Sequence, residues 1–116
     1  MGLFQWGEKR FARGIAKAMI RSFLLYKTND PNLNELGLVR QALSDRPGNA
    51  AKELLKELDD NEFWVNTAGS SFFEVVYLLV RMEYLEHMKG TIVDENIKTL
   101  SIFKDVIKNE FTNSNL

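Results

Sequence analysis

Apolar residues occupy nearly every side of the helix predicted over residues 71–88. Only three of the fourteen positions from 72 to 85 are charged. A helix that is hydrophobic all round lies in a protein interior. Ser71, with Glu74 three residues later, forms the capping-box pattern that begins a helix, and Gly90 can take the left-handed turn that ends one. We therefore expect 71–88 to be the buried central helix of the fold.

Apolar residues at helical spacing, separated by turn residues, predict four further helices. Asp30 is expected to cap the second helix and Asn49 the third, while Gly14 lies inside the first, where a glycine allows another backbone to pack closely. No segment alternates apolar and polar residues in the manner of a strand. The pattern predicts an all-α, compact bundle of about five helices, the other four being 4–27, 31–44, 50–60 and 93–111.

Length and composition favour one domain. The chain has 116 residues, of which 45% are hydrophobic, and this suffices for one core without disulfides or structural metals. We expect a single helical domain over 1–111 and a short polar tail over 112–116. The chain has no cysteine, which excludes thiol catalysis and thiolate metal sites.

Charge is distributed unevenly along the chain. Six Lys/Arg and one Glu give residues 1–28 a charge of +5, whereas nine Lys/Arg and fifteen Asp/Glu give residues 29–116 a charge of −6, and together they make the net −1. At about 100° per residue, four of the basic residues fall on one side of the first helix, opposite its apolar side. These candidate binding residues are Arg10, Arg13, Lys17 and Arg21.

This basic side of the first helix has three alternative interpretations. It could bind an anionic partner, which would be a membrane surface, a nucleic acid or an acidic protein; Trp6, with Phe4 beside it, would suit a membrane interface. It could instead be a solvated surface. It could also pair within the molecule with the acidic run at the end of the third helix, which comprises Glu57, Asp59, Asp60 and Glu62.

Two further features of the central helix could carry chemistry. Arg81 needs a partner if it is buried, because an unpaired buried charge is costly, and it could mark a polar pocket or a subunit contact. Glu83, Glu86 and His87 lie together, but a carboxylate-bundle metal site requires Glu-x-x-His motifs from two helices. His87 is the only histidine. We therefore expect no metal and no cofactor.

Specific DNA recognition is not expected. The second and third predicted helices could form a helix-turn-helix, but the third carries more carboxylates than lysines, and DNA affinity depends on neutralising phosphates. The sequence also contains no nucleophile motif, so we expect a protein that is not an enzyme.

Large apolar residues indicate the function that we expect. Eight Phe, two Trp and four Met are more apolar surface than one small bundle is expected to cover, and exposed apolar patches mark protein contacts. We expect a non-enzymatic interaction or regulatory domain that associates with itself as a homodimer. No signal peptide or apolar run of about 20 residues is present, so we expect a cytoplasmic protein without a transmembrane segment.

Overall fold

The computed structural model describes the backbone of residues 2–60, 72–88 and 97–116, and the side chains of 7–59, 72–88 and 97–116. Within these ranges the chain forms five α-helices and no strand, which confirms the predicted all-α class. Its radius of gyration of 14.2 Å is that of a compact bundle. The helices are α1 (Gly2–Asn29), α2 (Glu35–Asp45), α3 (Asn49–Asp60), α4 (Phe72–His87) and α5 (Ile97–Thr112).

Helix α4 occupies the centre of the bundle and contacts each of the other four described helices. Val75, Val76, Leu79 and Val80 are almost completely buried. This confirms the central position predicted from its apolar sequence, although its last turn emerges from the core and exposes Leu85 and its two following neighbours. The predicted cap and terminator of this helix lie outside the described residues.

Helix α1 packs against α2, α4 and, most extensively, α5. Its ring contacts with α4 join Phe23 to Phe72, with centroids 4.6 Å apart, and Phe11 to Tyr84, at 5.7 Å. Because the later residue of α1 meets the earlier residue of α4, the two helices are antiparallel. The buried side of α1 consists of Ala12, Ile15, Ala16, Met19, Ile20 and Phe23.

Helix α2 begins later than the sequence predicts. The predicted cap, Asp30, accepts a hydrogen bond from the Asn32 amide at 3.2 Å in a turn. The residue that caps α2 is Asn34, whose Oδ1 accepts from the Gly37 amide at 2.8 Å. The prediction that Asp30 caps the second helix is therefore wrong, because a second Asx residue four positions later competes for the same role.

A tight elbow joins α2 to α3 through Arg46, Pro47 and Gly48. Gly48 has a φ of +104°, in the left-handed region that favours glycine. Helix α3 then begins at Asn49, the residue predicted as its cap. The elbow turns α3 back so that it packs against α2 and α4.

The C-terminal residues continue from α5 into a short capped turn. The Asn113 amide donates to the Asn109 carbonyl at 3.0 Å, and the Ser114 hydroxyl donates to the Phe111 carbonyl at 2.8 Å. Leu116 packs against the hydrophobic core. None of the described helices combines the length and hydropathy that a bilayer span requires.

Candidate interaction surface

A row of four cationic side chains lies on the exposed side of α1. We call Arg10, Arg13, Lys17 and Arg21 the basic face; all four side chains are exposed. The row covers about 16 Å of helix at 1.5 Å rise per residue. The opposite side of α1 is buried in the core, so the helix holds the row in a fixed place. Trp6 was predicted to bind an anionic partner together with these four residues, but its side chain lies outside the described residues.

One residue of the basic face has an acidic neighbour on α5. The Lys17 Nζ lies 3.9 Å from the Glu110 Oε1, and the lysine side chain remains 58% exposed. Such an exposed pair stabilises by at most about 1 kcal/mol. Neither Arg13 nor Arg21 forms an ion pair within the part of the chain that the structure describes.

The acidic run of α3 is not the neighbour of the basic face. Among the described helices, α3 contacts α2 and α4 but neither α1 nor α5. Its Asp59 instead forms an ion pair with Arg40 of α2, whose Nε lies 3.2 Å from the Asp59 Oδ1. Among the described residues, Lys17 thus pairs within the molecule, but with Glu110 of α5, an acid that the sequence did not indicate. Glu62 and the Asp60 side chain lie outside the described residues.

Gly14 lies within the basic face and faces open space. A Cβ added at Gly14 would meet no atom within 4 Å, so no other described segment packs against it. The close packing of another backbone that a glycine allows is therefore not used by any described segment. The surface of α1 at Gly14 is consequently open to solvent.

Arg81 packs against an aromatic ring, and it lines neither of the two pockets beside the α2–α3 elbow. Its Cζ lies 5.5 Å from the centroid of the Tyr77 ring, and the Lys104 Nζ of α5 lies 5.2 Å from the same ring. Phe73 stacks against that ring with centroids 6.1 Å apart. Cation–π contacts of this kind stabilise by about 0.5–2 kcal/mol. The Lys104 contact thus joins α5 to α4, whereas the Arg81 contact with Tyr77 lies within α4.

An ion pair that sequence reasoning missed joins the elbow to α4. The Arg46 Nε donates to the Glu83 Oε2 at 2.6 Å, and its Nη2 donates to the Oε1 at 2.8 Å. The two side chains are 20% and 19% exposed. Hydrogen bonding to Glu83 raises the pKa of Arg46. The only sequence signals were an arginine before Pro-Gly and a glutamate in an apolar helix, each of which needs a partner if buried.

Two shallow pockets flank this elbow. A pocket of about 180 Å³ lies between α1, α2 and the elbow, where Met19, Ser22 and Asp45 contribute to its lining. The second pocket, of about 260 Å³, lies on the α4 side of Pro47 and is lined by Phe11, Pro47, Gly48, Ala50, Glu83, Glu86 and His87.

Within the described residues, no group of three acidic or histidine side chains could hold a metal ion.

Most large apolar side chains of the described helices are covered. Phe103 and Ile107 of α5 are completely buried, and Phe72 of α4 packs against the core. Among the described residues, the large apolar side chains that remain exposed are Leu25, Leu85 and Ile97. The bundle therefore covers most of the large apolar side chains of its described residues, whereas the side chains of both tryptophans lie outside that part of the chain.

In comparisons with known proteins, no protein family, no curated protein and no solved structure matches this chain.

Proposed function

We propose that this protein is a non-enzymatic interaction domain whose basic face on α1 binds an acidic protein surface. The observation that carries the proposal is the exposed row of cations on a helix whose other side is fixed in the core. Arg13, Lys17 and Arg21 are spaced four residues apart, and like charges at this spacing destabilise a helix by a few tenths of a kcal/mol per pair. An acidic partner would offset that repulsion.

The buried side of α1 argues against a membrane as the partner. An amphipathic helix that lies in a bilayer interface inserts its apolar side. In this bundle, that side of α1 is core, so insertion of the described helix would require unfolding. A purely electrostatic contact would contribute only about 1 kcal/mol per cation near the surface.

The charge of the remaining chain favours a local acidic patch over an extended polyanion. Residues 29–116 carry −6, which would repel a nucleic acid or an anionic bilayer extending beyond the basic face. An acidic patch on a folded protein has limited extent and can meet the basic face alone. The planar guanidinium groups of Arg13 and Arg21 suit carboxylates, which they can bind through two hydrogen bonds.

Binding of labelled poly-L-glutamate, followed by fluorescence anisotropy, tests the proposal. The wild-type protein should bind at low salt and release the polymer at about 1 M NaCl, where the Debye length is about 3 Å. The double variant Arg13→Gln/Arg21→Gln should bind roughly 2- to 30-fold more weakly, because each of the two exposed pairs contributes about 0.2–1 kcal/mol.

Lys52→Gln/Lys56→Gln is the matched control, since it removes two exposed cations from α3. It should bind poly-L-glutamate nearly as well as the wild type. Equal losses in the two double variants would mean that net charge alone governs binding, and the basic face would not be the contact surface. Tighter binding to phosphatidylserine vesicles or to a DNA duplex than to poly-L-glutamate would also contradict the proposal.

Self-association through apolar contacts is a second candidate function. The observation that favours it is the exposure of Ile97, which is 84%, together with that of Leu25 and Leu85. Light scattering at about 1 M NaCl tests it, because screening removes surface electrostatic contacts and leaves apolar ones. A dimer that persists at this salt concentration is the expected result for a homodimer with an apolar interface, and a monomer would contradict it.

A further inference from the structure

The bundle separates two oppositely charged helices. Helix α1 carries six basic residues and one acidic residue, giving +5, whereas α3 carries two lysines and four acidic residues, giving −2. Among the described helices, α3 makes no contact with α1 or α5. Glu53 and Glu57 of α3 form no ion pair with the basic face within the described part of the chain, and their exposed side chains are available to another molecule.

The charged rows of the two helices have the same repeat. Glu53 and Glu57 are exposed and lie four residues apart on α3. Arg13, Lys17 and Arg21 are exposed at the same interval on α1. Four residues correspond to a rise of about 6 Å. Two helices lying side by side could therefore place each carboxylate of the first row against a cation of the second.

The lysines of α3 restrict how such helices could meet. Lys52 and Lys56 are exposed as well, and each precedes a glutamate of the row by one position. One residue corresponds to a rotation of about 100° around a helix, so the direction midway between Glu53 and Glu57 lies about 100° from that midway between the two lysines. A contact centred on Glu53 and Glu57 therefore brings these carboxylates closer to the basic face than Lys52 and Lys56.

We infer that the acidic partner of the basic face is the α3 edge formed by Glu53 and Glu57 on a second copy of this chain. The inference rests on the proposed function and names the partner for that same surface. The two contacting patches lie on different helices, so each copy offers one patch to a neighbour on either side. Such head-to-tail contacts continue into larger assemblies unless they close into a ring.

Light scattering over a range of protein concentrations tests the inference. At low salt the mean mass should rise with concentration, and at about 1 M NaCl it should fall to that of the monomer, because salt screens surface charges. A monomer at low salt over the whole concentration range would overturn the inference. A dimer of equal stability at both salt concentrations would overturn it as well.

Charge reversal on either patch makes the test specific. Arg13→Glu/Arg21→Glu and Glu53→Lys/Glu57→Lys should each weaken self-association by roughly tenfold or more, because like charges then meet across the contact. An equimolar mixture of the two variants should associate again, since the reversed α1 of one matches the reversed α3 of the other. Folded variants whose mixture stays monomeric would contradict the inference.

Lys52→Gln/Lys56→Gln is the control on the same helix and should associate at least as strongly as the wild type. Circular dichroism of every variant establishes that it is folded. Poly-L-glutamate binding distinguishes a failure of this inference from a failure of the proposed function. If the wild type binds the polymer through the basic face but remains monomeric, the partner is another acidic protein and only the further inference fails. If it does neither, both fail.

Discussion

Arg46 and Glu83 show how a single pair of residues connects distant parts of this chain. The two residues are 37 positions apart, and their two hydrogen bonds fix the α2–α3 elbow to the central helix. The pair is about four-fifths buried, so water compensates little for the loss of either partner. We regard this pair as the main polar contact that orients the elbow among the described residues.

Replacing Glu83 with Gln should therefore destabilise the fold. We expect the free energy of unfolding to fall by about 1–3 kcal/mol, the range for hydrogen bonds to charged groups. Urea denaturation followed by circular dichroism measures this change. Asp59→Asn is the matched control, because its pair with Arg40 is 44% and 55% exposed, and it should change stability by no more than about 0.5 kcal/mol. Equal effects of both variants would contradict a special role for the Arg46–Glu83 pair.

A substitution at Gly14 should raise the free energy of unfolding rather than lower it. A Cβ at this helical position meets no atom within 4 Å, so Gly14→Ala should stabilise the monomer by about 0.5–1 kcal/mol. Gly37→Ala should gain less, because its Cβ would lie 2.8 Å from the Leu33 Cδ2 and 3.3 Å from the Asn34 Oδ1. Thermal unfolding at high salt measures both. A destabilised Gly14→Ala variant would show that something packs on the basic face.

Residue-scale features could be predicted only where they depend on local spacing. The basic face follows from helical periodicity, and the described side chains of its four residues are exposed as that spacing requires. The Arg46–Glu83 pair and the Lys17–Glu110 contact join different helices. Periodicity carries no information about which helices become neighbours, so these pairs could not be predicted from the sequence.

The helical elements follow from the hydrophobic pattern, but one of their ends does not. Helix α2 has two candidate caps, Asp30 and Asn34, and both are followed by residues that tolerate a helical start. The Asp30 amide donates to the Tyr26 carbonyl at 2.9 Å, which continues the bonding of α1. Asp30 thus closes the preceding helix, and Asn34 is left to begin the next. Sequence preference alone does not separate these two roles.

Two alanine substitutions distinguish these roles. Asn34→Ala should lower the free energy of unfolding by about 1 kcal/mol, because it removes the side chain that accepts from the Gly37 amide. Asp30→Ala, which removes only an exposed turn contact, should cost no more than a few tenths of a kcal/mol. Chemical denaturation of both variants under identical conditions checks the difference. A larger loss for Asp30→Ala would place the cap where the sequence predicted it.

At the scale of the whole molecule, the fold class followed from the absence of strand patterning and from the apolar helix at residues 72–87. That helix contacts each of the other described helices, because only a central position covers apolar residues on all sides. Although the sequence is rich in large apolar residues, the described residues expose few of them. Composition counts apolar residues but does not show how completely the helices cover one another.

The charge distribution connects this fold with the proposed function. The bundle buries the apolar side of α1 and leaves its cations outside, while α3 carries carboxylates on a side that α1 does not reach. Within the described part of the chain, Arg13 and Arg21 are exposed and form no ion pair, which supports the proposal that the basic face is a contact surface. We propose that acidic protein surfaces bind at this face.

The most direct test is a ¹H–¹⁵N NMR titration of the folded protein with poly-L-glutamate at low salt. We predict that the largest shift changes occur at the amides of Arg13, Gly14, Lys17 and Arg21. The amides of α3 should change only near Glu53 and Glu57, and only if the polymer displaces a second copy from the basic face. Changes that are absent, or that are spread evenly over the bundle, would contradict the claim that the basic face is the binding surface.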